Sequence, residues 1–337
     1  MSSPISDLPD FTGEIIDNGS LHFLRCLGSG GSGVVYLAVD ANAAGTPKEY
    51  AVKCMLKLDP LDDQTFAQIR EIALHIAVSD HPNIISIHRI VYDERYLFIV
   101  MDLCEAGDLY DAILIRKVYR NNDELVKLAF TKLIDAVAAC HNDGIYHRDI
   151  KPENILCSQD GSELWLADFG IATTNIIIPI NNGGTTYYMS PECHRNEYSR
   201  RGLSPEHCDI WALGIILLNF LTSSNPWLVA HPSDGDFNNF FKEPDYLRTL
   251  FPTISIQANA LLRRILVMNP YERISLDELR KEVALIGTFF TTDRLPVTSN
   301  SCSTACSSIE AITPEPFTTQ ADVDIEELQK ALLNLAY

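Results

Sequence analysis

Tyr146-His147-Arg148-Asp149-Ile150-Lys151-Pro152-Glu153-Asn154, followed downstream by Asp168-Phe169-Gly170, is the stretch that decides the fold. Taken singly, an Asp in such a segment is a turn former whose short side chain bonds its own backbone. Acidic, basic and amide side chains packed this closely admit a chemical reading as well. The rest of the chain decides between the two.

Upstream lies Gly28-Ser29-Gly30-Gly31-Ser32-Gly33-Val34-Val35, with Leu27 before it. Glycines permit a tight turn and let backbone N–H groups approach phosphate oxygens closely. By itself this spacing also fits a glycine-rich hairpin or a dinucleotide fingerprint. The dinucleotide reading needs a helix directly after the glycines. Here a strand rich in Val and Tyr follows, so a hairpin lid is expected. One hairpin further on comes Ala51-Val52-Lys53. A lysine inside an apolar strand is costly unless paired; alone it would snorkel at the surface. Its expected partner is Glu71, in 66–78, where Ile69, Ile72, Ala73, Ile76 and Ala77 share one helix face.

With these signals in the same order and at family spacing, the chain from 21 to 289 resembles the protein kinase superfamily, serine/threonine type. The resemblance implies ATP and Mg2+ as cofactors and protein Ser/Thr hydroxyls as acceptors. Asp149 would accept or orient the substrate proton. Asn154 and Asp168 would hold the magnesium ions. Lys53 would grip the phosphates, oriented by Glu71, and Lys151 would face the γ-phosphate. The remaining nucleotide contacts implied are Leu27, Gly28, Gly30, Gly33, Val35, Ala51, Met101 as gatekeeper, the hinge from Asp102 to Cys104, Asp108 near the ribose, and Leu156.

The segment from Asp168 to Glu192 resembles an activation segment. Ser190-Pro191-Glu192 stands where the family usually has Ala-Pro-Glu. Glu192 is expected to form a buried ion pair with Arg273, and Thr185 to touch both Asp149 and Lys151. Asp209 is expected to be a structural acceptor behind the catalytic loop, and His81-Pro82-Asn83 a structural corner. His75 falls at a spine position that is more often aliphatic; it reads as a packed core histidine or as a pH sensor. Arg148 is of the kind that binds an activation-loop phosphate. Counting back from Thr185 puts Asn181 at the usual phosphosite, so activity is expected not to need phosphate there. Thr173, Thr174 and Thr186 remain candidate sites. Asp108 and Glu153 resemble kinases that prefer arginine upstream of the phosphosite. A third acidic position appears as Asn219, so a mild basic preference is expected. Two patches, 140–149 and 188–193, resemble the fungal kinases that repress meiosis or respond to nutrients.

The fold expected is α+β and bilobal, a small β-rich lobe with one key helix and a larger, mainly helical lobe. The divisions are a loosely held arm over 1–20, a kinase domain over 21–290 (lobes 21–103 and 104–290), a Ser/Thr-rich linker over 291–321 and an amphipathic helix over 322–337. That helix would be capped by Asp324 and either pack on the body or act as a docking segment.

Composition agrees with this class. The 337 residues are 46% hydrophobic and 21% charged, as in ordinary globular proteins. A net charge of -19 argues against nucleic-acid partners; it suits solubility or attraction of basic substrates. The apolar run 211–221 is too short to span a bilayer, and 1–11 lacks the order of a secretory signal. The nine cysteines contain no C-x-x-C pair, which favours an intracellular setting, cytoplasm or nucleus. The rival reading is a pseudokinase that binds nucleotide as a scaffold. Its signature would be loss of Lys53, Glu71, Asp149, Asn154 or Asp168, and all are present. A small-molecule phosphotransferase is weakened by Thr185 and Ser190-Pro191-Glu192.

Overall fold

Alternating apolar residues in the first hundred positions build a six-stranded antiparallel sheet whose strand order is β1-β2-β3-β4-β6-β5. The strands are β1 (Ile15–Ile16), β2 (Leu21–Gly30), β3 (Gly33–Asp40), β4 (Lys48–Leu56), β5 (Ile87–Tyr92) and β6 (Tyr96–Met101). The computed structural model describes residues 8–30, 33–41, 47–57, 63–180, 183–194 and 202–291. The Ser/Thr-rich linker beyond Thr291, the C-terminal helix and Asn181 lie outside them.

The chain divides into two compact units. Among the described residues the first comprises those up to 57 and His88–Leu103; the second comprises 63–87 and 104–291. The first unit is the sheet, and its core is aromatic. Phe11, Phe23, Tyr36, Tyr96 and Phe98 are buried together. Phe11 meets Tyr96 edge-on at 5.1 Å and Phe98 at 5.3 Å, distances at which the ring quadrupoles attract.

The expected loose arm over 1–20 is therefore corrected for residues 8–20. Phe11 is only 3% exposed. Gly13 N–H donates to Phe23 O, and Phe23 N–H donates to Glu14 O, both at 2.9 Å. The sequence around Phe11 is polar and aperiodic, so the arm has no pattern of its own. One large ring fills the open face of the sheet and fixes the segment.

The second unit is mainly helical: α1 (Asp63–Val78), α2 (Leu109–Leu114), α3 (Asp123–Asn142), α4 (Pro205–Thr222), α5 (Gly235–Lys242), α6 (Tyr246–Leu250), α7 (Ile256–Ile265) and α8 (Leu276–Leu285). It also holds the two-stranded sheet of β7 (Ile155–Cys157) and β8 (Leu164–Leu166). In α3, Val126, Ala129, Phe130, Leu133, Ile134, Val137 and Cys140 form one buried stripe, and Asn122 caps the helix by accepting from Leu125 N–H. In α4 nearly every residue from Asp209 to Leu221 is buried, which marks it as the central helix. Gly214 lets α7 approach it: a side-chain carbon there would stand 2.7 Å from Ile265 Cγ2.

Helix α1, the one key helix expected with the β-rich lobe, is anchored through His75 within the helical unit. His75 stacks on Phe169 at 4.7 Å and bonds Ile85 O at 2.7 Å, and Ile85 N–H donates to Leu166 O. Chain order alone does not report such contacts.

Replacing Phe11 by Ala should destabilise the first unit by about 3–5 kcal/mol, the cost of emptying an aromatic site in a packed core. Urea unfolding followed by intrinsic fluorescence checks this; a change below about 1 kcal/mol would show that the arm is not part of the core.

Candidate active site

The second unit brings Asp149, Lys151, Asn154 and Thr185 together. Lys151 Nζ lies 2.8 Å from Asp149 Oδ2 and donates to Thr185 Oγ1 at 3.0 Å. The Thr185 hydroxyl in turn donates to Asp149 Oδ1 at 2.8 Å. Asn154 donates from Nδ2 to the main-chain oxygen of Asp149 at 2.9 Å and to its Oδ2 at 3.1 Å. The amide is thereby oriented with its oxygen turned away from Asp149. That leaves an oxygen ligand of the hard kind Mg2+ takes. Thr185 thus joins the activation segment to the catalytic loop, as expected.

Two turns at the site are held in a costly backbone conformation. Arg148 has φ +70° and Asp168 φ +62°, in the left-handed region that non-glycine residues avoid. Behind the loop, the Asp209 carboxylate is 1% exposed. It accepts from His147 N–H at 2.9 Å and from Arg148 N–H at 2.7 Å. The expected structural acceptor is in place. A third bond, to His141 Nε2 at 2.9 Å, was not read from the sequence, although Cys140-His141 opens one of the fungal-like patches. A carboxylate only accepts, so His141 Nε2 carries the hydrogen. His147 is set in the same way: Nδ1 accepts from Asp149 N–H, so Nε2 carries the hydrogen toward Ala167 O.

Phe169 is buried between His75 and His147, with ring centroids 4.7 and 4.9 Å away. His75, 5% exposed, is a packed core histidine anchored on Ile85 O. Gly170 keeps the space beside Asp168 and Glu71 clear: a side-chain carbon would stand 3.3 Å from Asp168 Oδ1 and 3.5 Å from Glu71 Oε2. Leu156 lies in β7 and bridges Asp108. Asp108 caps α2, accepting from Asp111 N–H at 2.9 Å, and burial pushes its carboxyl above the usual range. The corner at His81-Pro82-Asn83 is built as expected, with Asn83 bonded to Leu164 O and Leu166 N–H.

Arg148 donates to Ile171 O at 2.7 Å, and burial lowers its affinity for the proton. Among the candidate phosphosites, Thr173 is 4% exposed and pairs with Tyr146, which leaves its hydroxyl inaccessible. Thr174 and Thr186 are exposed. The Glu192–Arg273 pair is buried and bidentate, at 2.5 and 2.6 Å. Arg273 also donates to the main-chain oxygens of His207 and Val267, and its guanidinium lies 4.9 Å from the Trp211 ring.

In the first unit, the glycine segment forms a β2–β3 hairpin in which Gly28 faces Val35 and Gly30 faces Gly33. Its glycines serve two purposes. At Gly33 a side-chain carbon would fall 2.4 Å from Cys54 O, so only glycine lets β3 lie this close to β4. At Gly28 and Gly30 it would meet no protein atom within 4 Å. Room there is open to a ligand, and a bare backbone suits phosphate oxygens. Lys53 pairs with Val35 on one side and Ile99 on the other, and Ala51 faces Met101. Leu27 is exposed, and Asp102 Oδ1 lies 2.6 Å from His88 Nε2. Glu71 and Cys104 belong to the second unit.

This geometry is that of a protein kinase, and the chain belongs to the protein kinase family: the protein kinase domain model matches residues 21–283. It is 42% identical over 279 residues, 77% of this chain and 58% of the relative, to a negative regulator of sexual conjugation and meiosis of Schizosaccharomyces pombe. It is 38% identical to the serine/threonine-protein kinase ksp1 of the same yeast, over 80% of this chain and 57% of the relative. To the serine/threonine-protein kinase VHS1 of Saccharomyces cerevisiae it is 36% identical, over 69% and 53%. The likeness to the fungal branch is thereby borne out. The chain spans a little over half the length of these relatives.

Replacing Arg273 by Met should cost about 3–5 kcal/mol, because it strands the buried Glu192 carboxylate. The paired change Glu192→Gln with Arg273→Met should recover part of the loss. Thermal unfolding of the three forms checks the order.

Proposed function

We propose that the chain is a serine/threonine protein kinase that transfers the γ-phosphate of ATP to Ser and Thr hydroxyls of protein substrates. The observation that carries this reading is the joined set of Asp149, Lys151, Asn154 and Thr185. Asp149 has one carboxylate oxygen held by Thr185 and the other by Lys151 and Asn154. It is fixed where a substrate hydroxyl can donate to it and pass it the proton. Lys151 supplies positive charge for the transferred phosphoryl group.

The oxygens of Asn154 and Asp168 are the metal ligands in this reading. Mg2+, when bound, neutralises charge on the phosphate oxygens. The bare backbone at Gly28 and Gly30 suits phosphate contact, and Lys53 is assigned to the phosphates by its place in the family motif. Leu27, Val35, Ala51, Met101, Asp102, Cys104, Asp108 and Leu156 are assigned to the nucleoside on the same ground.

Protein rather than small-molecule acceptors are supported by the Thr185 link between activation segment and catalytic loop. A groove of about 380 Å3 is lined by Tyr110, Glu153, Tyr187, Asn219 and Ser224 among others. Glu153 is exposed there and suits a basic residue of the substrate. Asn219 is occupied: it accepts from the Tyr188 hydroxyl and donates to Ser224 O and Asn225 Oδ1. The basic preference is therefore mild and centred on Glu153.

An intracellular setting, in cytoplasm or nucleus, is supported by the free thiols of the described cysteines. Among the described residues no helix is long and apolar enough to cross a membrane.

Transfer from labelled ATP with magnesium to a Ser/Thr peptide library tests the reading. Asp149→Asn should lower the rate by roughly 10²–10⁴-fold, the usual contribution of a positioned base, and chelating the magnesium should abolish transfer. Glu153→Gln should flatten the preference for basic peptides. Nucleotide binding without transfer in the wild type would favour the scaffold reading instead.

A further inference from the structure

Ser190 replaces the alanine usual at its place in the family, and its side chain is fully buried. A buried hydroxyl needs partners. Those it has are two thiols: Ser190 Oγ lies 3.3 Å from Cys193 Sγ and 3.4 Å from Cys208 Sγ, and the two sulfurs are 3.9 Å apart. Cys193 sits in the short turn Pro191–His194, and Cys208 in the first turn of α4. Around them Ile178 and Leu203 form a small apolar cluster. Both cysteines line a cavity of about 30 Å3 that also touches Thr185, Met189 and Asp149. That is room for one molecule the size of water or hydrogen peroxide.

The two thiols are not equivalent. Hydrogen bonding with Cys208 pulls the Cys193 thiol below its ordinary value, against the opposing effect of burial. The same bond and burial push Cys208 up. With Cys193 as the attacking thiol and Cys208 as the resolving one, or the reverse, the same disulfide results.

We propose that Cys193 and Cys208 form a reversible oxidation site that closes to a disulfide under hydrogen peroxide and switches off phosphate transfer. The Cys193 thiolate attacks one peroxide oxygen. The O–O bond breaks, and the departing hydroxide takes a proton to give water. Cys208 then attacks the sulfenic sulfur, the S–O bond breaks, and a second water leaves with the Cys208 proton. Two electrons pass from the thiols to the peroxide, and a dithiol reductant reverses the step.

Closure must draw the sulfurs from 3.9 Å to about 2.05 Å. Both backbones that move are tied to the site already described. Cys193 follows Glu192 of the buried ion pair, and Cys208 precedes Asp209, whose carboxylate holds the His147 and Arg148 amides. Inactivation rests on the kinase reading above; formation of the disulfide does not.

The full chain should be treated with hydrogen peroxide, its free thiols alkylated, and the unreduced digest mapped by fragmentation mass spectrometry. The expected result is a cross-link between Cys193 and Cys208, with loss of transfer, both reversed by dithiothreitol. Cys193→Ser and Cys208→Ser should each keep their transfer under peroxide, and Ser190→Ala should slow cross-linking in the otherwise native chain. Alkylation of both cysteines at the untreated level would overturn the site. A cross-link with transfer unchanged would overturn the switch. A reduced wild type that transfers nothing would count against the kinase reading, while the cross-link still decides the site.

Discussion

One buried carboxylate governs the chemistry of this chain. Asp209 lies inside the helical unit, where an unpaired charge would be expensive. It stays because backbone amides of His147 and Arg148 and the ring of His141 point at it. Those bonds hold Arg148 in a left-handed conformation that its side chain would otherwise disfavour. The turn so made presents Asp149 to Lys151, Asn154 and Thr185. Strain in the loop is thus balanced by a charge that would be unstable without the loop, and each feature accounts for the other.

The same logic recurs in the activation segment. Glu192 and Arg273 are buried and bidentate, and Arg273 satisfies its remaining donors on main-chain oxygens. A buried pair of this kind adds little net stability but penalises every arrangement that separates the partners. It sets the far end of the segment whose near end is the Asp168 turn. Thr185, between them, is fastened to the catalytic loop. Ser190 and its two cysteines sit directly beside this ion pair, so chemistry at the sulfurs acts on an element with little slack.

Most of the fold was legible because period and order are local properties. Short apolar-rich runs gave the strands around the glycines and Lys53, and the 3.6-residue stripe over 66–78 gave α1. Three features were not legible. Phe11 is one ring in a polar segment, and its burial depends on the aromatic face that Phe23, Tyr36, Tyr96 and Phe98 assemble from separate strands. The attachment of α1 depends on His75 meeting Phe169, residues distant in sequence. The pairing of Ser190, Cys193 and Cys208 was hidden for the same reason. Ser190 stands in the sequence as a departure from the family pattern, but what its hydroxyl touches is a property of space.

By itself the sequence determined the class and the strand and helix pattern, because both rest on residue type at a fixed spacing; the resemblance to the kinases added the expectation that Asp149, Lys151 and Asn154 act together with Thr185 against them. Only the tertiary structure decided which glycines make room for a neighbouring strand and which leave room for a ligand. Gly33 and Gly28 are the same residue in the same motif, yet one faces Cys54 O at close range and the other faces open space. The tertiary structure also decided that Asn219 is already occupied and that two cysteines face one another across a serine. Contacts between residues far apart in the chain are set by how elements pack, and packing is a cooperative outcome of the whole chain that no local pattern encodes.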